Sequence, residues 1–90
     1  MKVTVNEYHI EKGRRGKADE CPVAMAINNR AECFGASVAI GVIVFLRNKK
    51  RWRATVPLDV RHWIGRFDRN EHVQPFSFNL HPTLINEEYV

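Results

Sequence analysis

The sequence predicts one small α+β domain, and three observations carry the prediction. Residues 51–56 alternate, with Trp52, Ala54 and Val56 on one side and Arg51, Arg53 and Thr55 on the other, which is the two-residue period of a half-buried strand. Val60, Trp63, Ile64 and Phe67 fall at i, i+3, i+4 and i+7, one face of a helix. Ala36–Leu46 is apolar apart from Ser37 and rich in Val and Ile, as a strand covered on both faces or paired on both edges would be. Helices packed on a mostly antiparallel sheet satisfy all three. A chain of 90 residues has material for a single core, so 1–90 reads as one domain.

Taken in order, Val3 and Val5 alternate with polar neighbours and predict a short strand over 2–5. Asn6 is placed to cap a brief helix through Tyr8 and Ile10, with Gly13 ending it at the C′ position. A loop follows over Arg14–Glu20. Asp19, Glu20 or Cys21 then caps a second helix with Pro22 near its first position, where a missing N–H costs nothing. Val23, Ala24, Ala26 and Ile27 bury it, and Gly35 is its expected stop. Ala36–Leu46 is the expected central strand, Asn48-Lys49-Lys50 the turn, and Arg51–Val56 the returning arm of a hairpin. Pro57 ends that arm, Asp59 is the expected cap of the third helix, and Asn70 closes it. A last strand over Val73–Leu80 shows Phe76, Phe78 and Leu80 on one face, with Pro75 arguing for an edge. Residues 82–90 have no period and read as a loose tail. The expected order is β-α-α-β-β-α-β.

Charge bounds the partners. The chain carries a formal net charge of +4, with 14 Lys and Arg against 10 Asp and Glu. That balance suits an acidic partner such as nucleic acid. The longest apolar run is too short to span a bilayer, and the polar start MKVTVNEY lacks a signal-peptide core, so a cytoplasmic protein with no membrane partner is expected. Cys21 and Cys33, at the two ends of the expected second helix, would lie roughly 18 Å apart and remain free thiols.

The residues that could carry chemistry form two basic clusters and one thiol. Lys12, Gly13, Arg14, Arg15, Gly16 and Lys17 form a glycine-bracketed loop that runs into a helix N-terminus, a local geometry able to hold a phosphate. Against it, Asp19 and Glu20 put negative charge where the anion would sit, and the bland alternative is a solvated loop. Arg47, Lys49, Lys50, Arg51 and Arg53 crowd the hairpin tip and would neutralise phosphates without reading sequence; the alternative there is a charged turn that keeps an edge soluble. Alternation puts Trp52 opposite Arg51 and Arg53, in the core. Cys21 at a helix N-terminus beside Lys17 is a candidate reactive thiol of lowered pKa, with His9 as its base. No third orienting residue presents itself, and no Walker, dinucleotide, metal-ligand or paired-carboxylate spacing occurs, so neither an enzyme nor a cofactor nor a metal site is expected.

Two resemblances add to this reading. His9-Ile10-x-x-Gly13-x-x-Gly16, then Cys21-Pro22-Val23-Ala24-x-Ala26, Phe67-Asp68 and Pro75-Phe76-x-Phe78, resembles small uncharacterised proteins encoded in phage and prophage genomes. It implies a phage accessory protein acting in the host cytoplasm and no particular activity. The order strand, short helix, Gly13-Arg14-Arg15-Gly16, helix, strand, basic loop, strand, helix is similar to a KH domain, whose GXXG loop clamps a nucleic-acid backbone. Lys12 before the first glycine, the charged spacer before Cys21 and an extra final strand depart from that pattern, and a ferredoxin-like βαββαβ sandwich accommodates the long central strand equally well. The expectation is a non-enzymatic nucleic-acid binder that uses both basic clusters. The alternatives are a protein–protein module that modulates a host system and, last, thiol chemistry at Cys21.

Overall fold

The computed structural model describes residues 1–86. Its elements are β1 (Lys2–Val5), α1 (Glu7–Lys12), α2 (Pro22–Asn28), β2 (Cys33–Ala39), β3 (Val42–Arg47), β4 (Lys50–Thr55), α3 (Leu58–Asp68), β5 (Phe76–Asn79) and β6 (Thr83–Asn86). The α+β class holds, and the strands divide between two antiparallel sheets. One is the pair β1-β5; the other has the order β2-β3-β4-β6. Because β1 pairs with β5 and stays out of the four-stranded sheet, the arrangement is neither the ferredoxin-like nor the KH-like one.

Three boundaries differ from expectation. The second helix stops at Asn28, well before Gly35, and Cys33 opens a strand. Asn28 and Asn29 account for the stop, since short amide side chains compete with the helical ladder. Asn28 Oδ1 accepts from the Ala36 N–H at 3.0 Å, and Asn29 is the C-cap. The apolar run 36–46 is two strands, folded back at Ile40-Gly41, where Gly41 takes a φ of +80° that only glycine adopts freely. The expected loose tail from residue 82 contains β6, which adds to β4 with Trp52 opposite Leu84 and Arg53 opposite Thr83; residues 87–90 lie outside those described.

Two caps differ in detail. Asp59 sits inside α3, which begins after Pro57, and its carboxylate accepts from the neighbouring Val60 N–H at 3.0 Å. Gly13 follows α1 with an extended backbone, φ −67° and ψ 153°, so its role is not left-handed turning. A β-carbon there would stand 2.6 Å from Pro22 Cδ.

One core joins both sheets to the helices. Val23, Ala24 and Ile27 of α2 and Val60, Trp63 and Phe67 of α3 share one buried cluster with Ala36, Val38, Ile43, Phe45 and Ala54 of the larger sheet. An aromatic row continues from Phe67 to Trp63 (5.9 Å between centroids), Phe76 (4.8 Å) and Phe78 (5.5 Å), tying α3 to the smaller sheet. No helix among the described residues is long and apolar enough to cross a membrane.

Candidate functional site

The glycine-bracketed loop is fastened to the end of α3. Gly16 N–H donates to Asp68 Oδ1 at 3.1 Å, and the Arg15 guanidinium donates to Asn70 Oδ1 while lying 5.5 Å from the Phe67 ring centroid. Arg15 therefore terminates the aromatic row. Arg14 pairs with Glu20 at 3.2 Å, and its backbone N–H donates to the Glu20 carbonyl at 2.9 Å. Lys12 lies 3.9 Å from Glu11, and Lys17 is exposed. The backbone donor that would meet a phosphate at Gly16 thus already holds an anion from this chain, the Asp68 carboxylate. Sequence distance hid this partner, since Asp68 lies 52 residues away.

Cys21 is part of the helix rather than an exposed nucleophile. It caps α2, Ala24 N–H approaching its Sγ at 3.5 Å, and it is 4% exposed. The lowered pKa expected from the helix terminus gives way to burial, which raises it despite backbone N–H groups of Ala24 and Val23 pulling the other way. His9 is not its base. The ring is 2% exposed, Nδ1 accepts from the Asn6 backbone N–H at 3.1 Å, and Nε2 lies 2.7 Å from the Asn29 side-chain amide. An accepting Nδ1 puts the proton on Nε2, a tautomer that calls for the Asn29 amide to be assigned with its oxygen, in place of the Nδ2 that stands 2.7 Å away, toward the ring. Burial lowers the His9 pKa, consistent with a neutral ring. Both cysteines are free, Cys33 as a buried residue of β2.

The hairpin cluster divides between the two faces of the sheet. Arg47 turns inward, its guanidinium 4.7 Å from the Trp52 ring centroid and 3.4 Å from Met1 Sδ. Trp52 shares that side, opposite Phe45, and its indole N–H donates to the Arg47 carbonyl at 3.2 Å. Lys50 pairs across the strand end with Arg47. Arg51 and Arg53 are on the outer face, exposed, and Lys49 stands at the tip.

That outer face holds a residue that sequence reasoning passes over. Phe34, 53% exposed, is in register with Leu46, which is in register with Arg51. The neighbouring row is Ser37, Val44, Arg53 and Thr83. Gly35 makes the rows possible. Its φ of +66° forms a bulge between Phe34 and Ser37, so that both side chains face outward although three positions apart. The missing side chain leaves a shallow depression bounded by Gly35, Ser37, Val44, Leu46 and Arg51. The one signal in the sequence is Gly35 itself, which reads as a helix stop or as a strand bulge depending on where α2 ends.

The two basic clusters do not merge. Loop 16–18 meets the Ile40-Gly41 end of the sheet, where Val38 N–H donates to the Ala18 carbonyl at 2.8 Å. The hairpin tip is at the opposite end of the six-residue β3, about 17 Å away at the usual strand rise. Among the described residues no three His, Cys, Asp or Glu side chains gather as a metal site. Comparison with known protein families, curated proteins and solved structures finds no match to this chain.

Proposed function

We propose that this protein is a non-enzymatic nucleic-acid binder whose phosphate contacts lie on the β3–β4 hairpin and the outer face of β4. The carrying observation is a concentration of cations along the sequence: Arg47, Lys49, Lys50, Arg51 and Arg53 fall between Cys33 and Leu58, and that interval contains no Asp or Glu. Cations so arranged attract a polyanion from any approach, with strength that falls steeply as salt displaces them. The turn residues add support. Asn48 and Lys49 both have positive φ, 54° and 65°, the geometry of a tight hairpin that favours glycine at its second position. A lysine there retains a charge at a conformational cost. The Gly13–Lys17 loop contributes less in this reading, because its donors are engaged by Glu20, Asp68 and Asn70. We read the protein as a phage-type accessory protein of the host cytoplasm on the strength of the His9–Ala26 pattern.

The test is fluorescence anisotropy of nuclease-treated protein with labelled oligonucleotides across a salt series. Replacing Lys49, Arg51 and Arg53 by alanine should weaken binding and flatten its salt slope by about one unit for each phosphate no longer neutralised. Replacing Arg14 and Arg15 should have the smaller effect. No binding by the native protein even at low salt would refute the reading.

A protein partner is the second reading, favoured by Ile40. This side chain is 96% exposed, beside a groove lined by Val38, Ala39, Val56 and Ile64. A host protein that co-purifies in stoichiometric amount after nuclease treatment would support it.

A further inference from the structure

We infer that the outer face of the four-stranded sheet takes single-stranded nucleic acid, with a base stacked on Phe34 and the phosphates running along Arg51 and Arg53; this rests on the nucleic-acid reading above. The argument begins with what the face contains. Phe34, Leu46 and Val44 form an apolar strip on β2 and β3, and Arg51 and Arg53 form a cationic strip on the adjacent β4. Two strand spacings separate Phe34 from Arg51, about 10 Å. None of the four strands contains Asp or Glu.

An apolar strip bordered on one side by cations matches a ligand with the same division, flat π faces beside a line of anions. A single strand presents both, since its bases are free to turn onto an aromatic ring while the backbone follows the charges. A duplex keeps its base faces inside the stack and would set phosphates against Phe34 and Leu46. The lack of Asp and Glu within these four strands disfavours a basic or mixed-charge protein surface as their partner. The depression beside Phe34, left open by Gly35, offers room for the edge of a stacked base over Leu46 and Val44.

The test compares one labelled sequence as single-stranded DNA, single-stranded RNA and duplex DNA, using the full chain and the variants Phe34→Ala, Phe34→Tyr and Lys49→Ala/Arg53→Ala. Phe34 is half exposed, so its replacement should leave the thermal midpoint nearly unchanged, which circular dichroism checks. Expected are tighter binding of single strands than of duplex, a loss of about tenfold for Phe34→Ala, retention for Phe34→Tyr, and an unchanged salt slope for both. The Lys49→Ala/Arg53→Ala variant should instead lower the salt slope for every ligand. Equal binding of duplex and single strand, with Phe34→Ala neutral and the charge variant weakened, would overturn the inference and leave the phosphate reading intact. No binding of any ligand would overturn both. A Phe34→Ala change that alters sedimentation but not oligonucleotide affinity would make the face a contact between two copies of the chain and overturn the inference.

Discussion

Gly13 lies flat against Pro22: a β-carbon on Gly13 would stand 2.6 Å from the proline Cδ and 2.8 Å from the His9 carbonyl oxygen. The contact joins the end of α1 to the first turn of α2. His9 repeats the connection at the other end of α2, through Asn29. The His9–Pro22 segment, which in sequence looks like a ligand motif, is thus largely a joint between two short helices that could not stand alone.

Alanine at Gly13 should destabilise the protein by about 1–3 kcal/mol, because Pro22 and the His9 carbonyl would both have to move. Alanine at Gly16 meets open space and pays only for its positive φ, roughly 1 kcal/mol. Urea midpoints of the two variants check the order. Equal midpoints would remove the packing account of Gly13.

Stability should fall on acidification because of His9. Its folded-state pKa lies below the ordinary 6.5, so the unfolded chain takes up the proton first. The contribution is complete above about pH 6.5 and is lost as pH falls through the lower folded-state value. Protonation would place a hydrogen on Nδ1, where the Asn6 N–H already points. Glutamine at position 9 can accept from Asn6 and reach Asn29 without titrating. Urea midpoints measured near pH 7.5 and pH 5 should therefore differ less for His9→Gln than for the native chain.

Cys21 should alkylate more slowly than a free model thiol in the folded protein. Burial both hides the sulfur and raises its pKa, so the thiolate is scarce. Iodoacetamide labelling followed by mass spectrometry measures the rate, and urea should restore it. Fast labelling of the native protein would make Cys21 a reactive group after all.

Glycine at Lys49 separates fold from function. It relieves a positive φ and should stabilise the hairpin by about 1 kcal/mol. It also deletes a cation, so oligonucleotide affinity should drop modestly with a shallower salt slope. Thermal denaturation and anisotropy on the same preparation read both effects. Weaker binding together with lower stability would contradict the turn assignment.

Where local chemistry decides, the fold is legible in the sequence. Asn6 caps α1, Pro22 opens α2, the Val60–Phe67 period marks α3, and Asn48-Lys49 forms the turn, each through neighbours a few residues away. The region 29–41 is not, because an apolar run without strict alternation suits a helix end, one long strand or two short ones. What settles it is tertiary: Asn28 bonded to Ala36, the Gly35 bulge against β3, and Gly41 at positive φ. The same ambiguity conceals the candidate site. A helix running to Gly35 gives Phe34 no reason to share a surface with Arg51 and Arg53. The inward turn of Arg47 is likewise fixed by its packing on Trp52 and Met1.

The pairing of β1 with β5 sets Val3 opposite Phe78, so this small sheet forms only when nearly the whole chain has been drawn into a loop. The β2–β3–β4 meander needs no such closure. Contacts between distant segments are late arrivals in folding, since the entropy of closure is incurred before they stabilise anything. Substitutions in the meander should therefore change how fast the protein folds, and those at Val3 or Phe78 how fast it comes apart. The proposed ligand-binding face would then be assembled before the two ends of the chain are fastened together.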